Sequence, residues 1–541
     1  MSWPVKLVTV SEMQAIEKAA DAAGHSYAAM MEHAGRGLAK IIDETFGYLA
    51  DDGILGLIGS GNNGGDALVA LTYLVENGWK CAALLIRPRS PDDPLLERAR
   101  AAGIRVLTGG TVSLRDEPPP WRGYAVLLDG VLGTGTRLPL RPEASAWLDA
   151  IRADIQNSPE APLVVAVDVP SGVDCDSGQA APETIPADLT VTMAAVKAGM
   201  LRLPAFSLCG EIRLTGIGLP DDLLPWQALR RYVISPDWVR TLLPPRPSDA
   251  HKGTFGTALV VAGSTNYTGA ALLAGKAAYR VGAGLVTMGV PAPLHAVLAG
   301  HFPEATWLLL PHELGVVAGS AAEVVRDGLA RATALLIGPG FGLEETSREF
   351  IAGLLAGEAS QHVIGFMRRA APETAGASVS LPQLVVDADG LKHLAKIPDW
   401  AQKLPAPAVL TPHPGEMSAL TGLPRDEIQA DRLGVAARYA AEWGHVVVLK
   451  GAHSVVAAPD GRLAVLPVAT PALARAGTGD VLAGLITGLR AQGVAAFEAA
   501  VAGAWLHAAA GLHALDSVGN AASVLAGDVL AHIPDAINDL L

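Results

Sequence analysis

Short apolar runs alternate with stretches of helical periodicity along most of the chain. ILGLIG, KCAALLI, YAVLLDG, LVVAVDV and ADLTVTM recur in the first 220 residues. Beyond residue 250 come ALVVAG, LVTMGV, ALLIGPG, LVVDADG, AVLTPHPGE and HVVVLKG. Runs this apolar and this short fit parallel strands whose two faces are both covered by helices. SEMQAIEKAADAAG and MMEHAGRGLAKII carry apolar residues at helical spacing, with Ser11 placed as an N-cap. The pattern predicts two open α/β sheets, separated at LLPPRPSDAHKG (242–253), where prolines and polar residues crowd together. SQHVIGFMRRAAPETAGASVS (360–380) has no clear period and reads as a surface insertion, expected to be mobile.

Composition narrows the function classes. A chain of 541 residues exceeds one ordinary core, so two to four domains are expected. Its 40 basic and 54 acidic residues give a net charge of −14, which disfavours a general nucleic-acid or anionic-membrane binder. A mean hydropathy of +0.32 raises the question of a membrane protein. The apolar stretches, however, break at charges, Gly or Pro before the roughly 18–20 residues that a span needs. The Ala-rich stretch 495–515 comes nearest, but Glu498 and His507 interrupt it, and a buried helix is expected there. Cys81, Cys175 and Cys209 form no C-x-x-C and suggest neither a disulfide framework nor a zinc site. No basic-then-apolar leader opens the chain, so a reducing cytoplasm is the simplest location.

Candidate chemistry starts at GSGNNGGDALVAL (59–71), where Gly59, Gly61 and Gly64 spell the dinucleotide fingerprint between a strand and a helix. Main-chain amides at a helix start suit an anion. The redox fingerprint also wants an acidic residue ending the next strand, and that strand ends Ile86-Arg87-Pro88. Arg87 would suit a 2′-phosphate, but Asn62, Asn63 and Asp66 stand where a pyrophosphate prefers bare backbone. Two further strands end in Asp129 (LLDGVLGTG) and Asp168 (VVAVDVPSG). Strand ends converge on one crevice in such sheets. Asn63, Asp129 and Ser171 then form an oxygen shell for a weakly bound monovalent cation, leaving Asp168 free as acid/base. Taken singly, each aspartate is more often a cap or turn former.

NNGGD (62–66), DGVLGTG (129–135), VDVPSG (167–172) and KAG (197–199) together resemble the YjeF N-terminal family, the NAD(P)H-hydrate epimerases. The resemblance covers about residues 1–220. It implies a Rossmann-like three-layer αβα domain without hydride chemistry, interconverting R and S forms of a hydrated nicotinamide. Asn62, Asn63, Gly64, Gly65 and Asp66 would line the substrate with Gly133, Thr134, Gly135, Thr136, Arg137, Leu138 and Pro139. Asp168 would be the acid/base, and Asn63, Asp129 and Ser171 would hold K+. MEHAG (31–35) departs from the family's usual MENAG at His33.

After a linker at 221–249, the sharpest motif is ARAGTGDVLAG (474–484). Its Gly477-Thr478-Gly479 turn leads into a helix expected to start at Asp480, so main-chain amides form an anion hole for a transferring phosphoryl group. Asp480 stands beside it as a base. Lys450 and Gly451 follow a strand, and His413 lies between two prolines. With HKGTFG (251–256), GPGFG (338–342), VVDADGL (385–391) and TPHPGE (411–416), residues 250–541 resemble the YjeF C-terminal family. Its members are ADP- or ATP-dependent NAD(P)H-hydrate dehydratases with a ribokinase-like fold. The resemblance implies Ala270, Gly340, His413 and Asp480 for the hydrate. Lys450, Gly451, Ala452, His453, Ser454 and Gly479 would hold the nucleotide with Mg2+. It also implies self-association.

Two alternatives stay open at this point. GTGD alone also suits a small-molecule kinase of the ribokinase type, such as a vitamin-precursor kinase. The first half would then be a non-catalytic binding module. NADHX and NADPHX, and ADP and ATP, are not distinguished by these residues.

Overall fold

The computed structural model describes residues 4–108, 119–356 and 381–541. The stretch 360–380, read as an insertion, lies outside the described residues. The chain divides into two compact units, Val5–Arg231 and Tyr232–Leu541. The residues read as a linker hold helix Leu224–Gln227, strand Arg231–Val233 and helix Pro236–Leu242.

In the first unit seven parallel strands lie side by side in the order Arg105–Thr108, Cys81–Leu85, Ile54–Ile58, Val126–Gly130, Leu163–Val167, Leu189–Met193, Glu211–Thr215. All five residues of Ile54–Ile58 and of Val126–Gly130 are buried, because helices cover both faces. Strand order reverses between these two strands, so the turns that follow them open a crevice at their carboxyl ends. Helix Val10–Ala22 is capped by Thr9 rather than Ser11, which lies inside the first turn. The reason is reciprocal bonding: the Thr9 hydroxyl accepts the Glu12 N–H at 3.3 Å, and the Glu12 carboxylate accepts the Thr9 N–H at 2.8 Å.

The second unit has parallel strands in the order Thr306–Leu310, Leu285–Pro291, Thr257–Val261, Ala334–Ile337, Gln383–Val386, Val409–Leu410, Val446–Leu449. Val455–Ala457 and Leu463–Val465 continue it antiparallel. One apolar core packs helices Thr268–Arg280, Thr478–Ala491 and Ala496–Val518 on one sheet face, and a second core fills the other. The Ala-rich stretch is thus a buried helix, and among the described residues no helix is long and apolar enough to cross a membrane. Both units have the predicted α/β architecture.

Candidate functional site

In the first unit the glycine turn is short. Helix Asn62–Glu76 begins at Asn62, so NNGGD is already its first turn and Gly61 its N-cap. The glycines here serve close approach: a Cβ on Gly64 would lie 2.2 Å from the Gly59 carbonyl oxygen, and one on Gly59 1.9 Å from that of Val131. Only hydrogen at these positions lets the helix start sit against the strand ends.

A cavity of about 870 Å³ opens there. Asn62, Asn63, Asp66, Gly133, Thr134, Gly135, Thr136 and Asp168 line it, as do Glu17, Arg87 and Lys197. Gly64 and Gly65 are buried behind the helix start. Arg137, Leu138 and Pro139 are exposed on the turn that follows the Gly133–Thr136 wall. Asp168 follows its strand with φ +64. Its Oδ1 accepts the Met193 N–H at 2.8 Å, the Thr192 hydroxyl at 3.0 Å and the Lys197 ammonium. Three donors thus converge on one oxygen. Lys197 is 1% exposed. The KAG motif had pointed to it without giving it a task. Asp66 has neither such a donor nor a salt-bridge partner among the described residues. Burial, with the charges of Asp168 and Glu17, pushes it well above the usual carboxylate range, against the pull of Lys197.

Asn63, Asp129 and Ser171 do come together. The Ser171 hydroxyl and N–H donate to Asp129 at 2.6 and 2.8 Å. The Asn63 amide donates to the carbonyls of Leu132 (2.9 Å) and Val167 (2.8 Å), and the Ser171 hydroxyl also reaches Leu132. Asp129 is wholly buried, and burial raises its pKa despite these bonds. No lysine, arginine or histidine pairs with it among the described residues. A buried carboxylate beside the Ser171 hydroxyl and the Leu132 carbonyl, with no cationic side chain bonded to it among the described residues, fits a hard monovalent ion. His33 instead bonds the Ala29 carbonyl at 2.8 Å and stands edge-on to His25.

In the second unit helix Thr478–Ala491 starts two residues before Asp480, with Gly477 as N-cap at φ +91. That left-handed backbone frees the first-turn amides to point outward. Residues directly following three adjacent strands meet beside them. The Asp387 Oδ1 accepts the Thr411 hydroxyl at 2.7 Å and the Lys450 ammonium at 2.6 Å. Lys450 also lies 3.6 Å from Glu416. Burial pulls the Lys450 pKa down, but the Asp387 and Glu416 carboxylates outweigh it and hold the ammonium above its ordinary value. The second oxygen of Asp387 is buried without a hydrogen-bond partner. Burial first, then the Asp387 charge, lifts Asp480 from 3.8 to about 7.

The other candidates distribute as follows. His413 caps helix Pro414–Thr421, its Nδ1 accepting the Gly415 and Glu416 N–H groups at 2.9 and 3.2 Å. The remaining ring nitrogen, Nε2, lies 3.3 Å from Glu416. Gly340, at φ +65, packs against Ala270, whose Cβ a side chain at Gly340 would meet at 2.8 Å. Gly451, Ala452, His453 and Ser454 form the turn after Lys450, where the Ser454 hydroxyl donates to the Gly451 carbonyl at 3.0 Å. Gly479 faces the Lys450 ammonium, which lies 3.5 Å from where its Cβ would stand. Asp387, Thr411 and Glu416 were not among the sequence candidates, although VVDADGL and TPHPGE contain them.

Residues 27–199 match the YjeF-related protein N-terminus family, and residues 258–535 match the NAD(P)H-hydrate dehydratase family. A bifunctional NAD(P)H-hydrate repair enzyme of Moorella thermoacetica is 35% identical over 99% of this chain and 97% of its own. Its counterpart in Salinibacter ruber is 34% identical over 93% of this chain and 91% of its own. An ADP/ATP-dependent NAD(P)H-hydrate dehydratase of Bacillus subtilis, co-crystallised with ATP/Mg2+, is 31% identical over 57% of this chain and 98% of that one, with a TM-score of 0.46.

Proposed function

The chain belongs to the family of bifunctional NAD(P)H-hydrate repair enzymes, and from that premise we propose how its residues divide the work. The first unit epimerises R- and S-NAD(P)HX with Asp168 as acid/base. The second dehydrates the S form at the expense of ADP or ATP, with Asp480 as base. Belonging to this family through both halves sets aside the vitamin-kinase reading.

The chemistry explains why a kinase-like fold serves a dehydratase. Hydrated NADH carries a hydroxyl at C6, and hydroxide leaves poorly. Once that oxygen is phosphorylated, the ring nitrogen lone pair expels phosphate and restores the double bond. Asp480 takes the hydroxyl proton. The first-turn amides of Thr478, Gly479 and Asp480 hold the charge that grows on the phosphoryl oxygens. Lys450, Gly451, Ala452, His453, Ser454 and Gly479 hold the nucleotide, and Ala270, Gly340 and His413 the hydrate. A magnesium ion, when bound, screens the phosphate charges, and the unpartnered Asp387 oxygen is the donor that fits it. In the first unit Asn63, Asp129 and Ser171 would hold potassium, whose charge would offset buried Asp129.

The observation that carries this reading is Asp480, a carboxylate lifted to about 7 at a helix start. Such a group is basic enough to take a proton and close enough to neutrality to be ionised at cellular pH. Separated epimers offered with ADP, ATP or no nucleotide, followed by NADH absorbance, test it. S-form recovery should require nucleotide, and Asp480→Asn should abolish it. Asp168→Asn should stop R-form conversion alone. Recovery of NADH at the parental rate by Asp480→Asn overturns the assignment.

A further inference from the structure

We propose that Asp66 is a second catalytic residue of the epimerisation, the acid that protonates the departing C6 hydroxyl while Asp168 receives the proton of the water that replaces it. The inference rests on the reading of the first unit as an epimerase and goes beyond it by naming the partner of Asp168. Inversion at a carbon bearing both a ring nitrogen and a hydroxyl needs two operations. The hydroxyl must leave as water, and water must return on the opposite face. One carboxylate cannot be acid on one face and base on the other at once.

The cavity supplies two carboxylates in different surroundings. Asp66, on the first helix after strand Ile54–Ile58, and Asp168, directly after Leu163–Val167, both line it. Strand Val126–Gly130 lies between those two strands in the sheet, so the carboxyls reach the cavity from separate strand ends. All three donors to Asp168 converge on Oδ1, which leaves Oδ2 for the cavity. The charged groups facing Asp66 are Glu17 on helix Val10–Ala22, Asp168 and Lys197, with Glu32 and Arg87 elsewhere on the cavity wall. Burial and the acidic neighbours favour the neutral carboxyl, and among the described residues no cation is bonded to it. A raised carboxyl and a second carboxylate held by three donors on one oxygen give one cavity an acid and a separate proton acceptor.

The step balances. The Asp66 proton passes to the C6 hydroxyl, the C6–O bond breaks, and water leaves as the nitrogen lone pair forms the N1=C6 iminium. Water adds to the other face of C6, and its extra proton passes to Asp168 Oδ2. The pair ends with one proton moved from Asp66 to Asp168, which is the starting state for the reverse inversion. Epimerisation in both directions therefore consumes no net proton and needs no co-reactant.

The test uses the full chain without nucleotide, so that dehydration is idle, and follows R- to S-form conversion chromatographically in H2(18)O. Wild type should gain one solvent oxygen at C6 per inversion and lose rate as pH rises through the Asp66 titration. Asp66→Asn should lower kcat by about 10²–10⁴-fold with KM little changed and lose that alkaline limb. Asp66→Glu should regain part of the rate with the limb displaced. S-form dehydration by the second unit should be unaffected in both. Parental kcat in Asp66→Asn, a loss confined to KM, or inversion without solvent oxygen overturns the proposal. If Asp66→Asn fails to fold, an undisplaced limb in Asp66→Glu overturns it instead. Persistence of epimerisation in Asp168→Asn would overturn the reading of Asp168 as acid/base and with it this pairing, whereas parental kcat in Asp66→Asn alone would overturn the pairing and leave the Asp168 reading standing.

Discussion

Replacing Asp480 by Asn should make the second unit more stable above neutral pH while abolishing dehydration. Asp480 is partly buried, and its carboxyl is lifted from 3.8 to about 7, by burial first and by Asp387 second. Between those values the folded chain binds a proton that the unfolded chain has released. Stability therefore falls as pH rises through the window and stays reduced above it. At about 1.4 kcal/mol per pH unit the full penalty is about 4 kcal/mol at pH 8, and a little over a third of it has developed by pH 5. Asn cannot ionise, so its advantage over wild type should grow by roughly 2–3 kcal/mol between pH 5 and pH 8, less whatever solvent screening removes. Urea denaturation of both proteins at the two pH values measures this directly. The same carboxylate must be ionised to act as base, so wild-type kcat/KM for S-form dehydration should drop about tenfold per pH unit below pH 7. A stability gap that does not change between pH 5 and pH 8, with an acid limb near pH 4, would show Asp480 to be an ordinary surface carboxylate and refute the reasoning.

Other perturbations follow from single contacts. Lys450→Met removes the cation that holds Asp480 down, so the acid limb of dehydration should move above pH 7, and the exposed Asp387–Glu416 repulsion should cost about 3 kcal/mol by denaturation. Gly64→Ala places a Cβ 2.2 Å from the Gly59 carbonyl and should cost about 2 kcal/mol, with epimerisation lost and S-form dehydration kept in parallel assays. Asp129→Asn removes the buried charge that potassium would offset, so KCl should raise the thermal midpoint of the wild-type epimerase unit and leave the variant unmoved. Thr9→Ala breaks the reciprocal cap of helix Val10–Ala22 and should cost about 1 kcal/mol in urea.

The strands were legible because burial on both faces writes them as continuous apolar runs, and most strand-end aspartates were legible because they terminate those runs. Pairings across the sheet were not. Asp387, Thr411 and Lys450 are 24 and 39 residues apart in sequence. They meet only because Gln383–Val386, Val409–Leu410 and Val446–Leu449 are neighbours in register, and nothing along the chain states that order. Lys197 is the same case: it reaches Asp168 because Leu189–Met193 lies beside Leu163–Val167. The misplaced cap differs in kind. Thr9 and Ser11 each have a capping-box partner three positions on, Glu12 and Gln14, so the sequence alone offered both caps and the fold chose the first.

Lys197 and Lys450 make matching contacts in unrelated sheets. Lys197 bonds Asp168 and Lys450 bonds Asp387, and both aspartates directly follow a strand. In each unit a second carboxylate close by, Asp66 or Asp480, has no lysine bonded to it and is pushed upward by burial and by its ionised neighbour. In each pair the lysine and the carboxylate it bonds pull on the second carboxylate in opposite senses, the lysine lowering its pKa and the carboxylate raising it. Removing the lysine should therefore disturb the proton chemistry of a residue it does not bond, and a pH profile registers that displacement where a simple loss of rate does not.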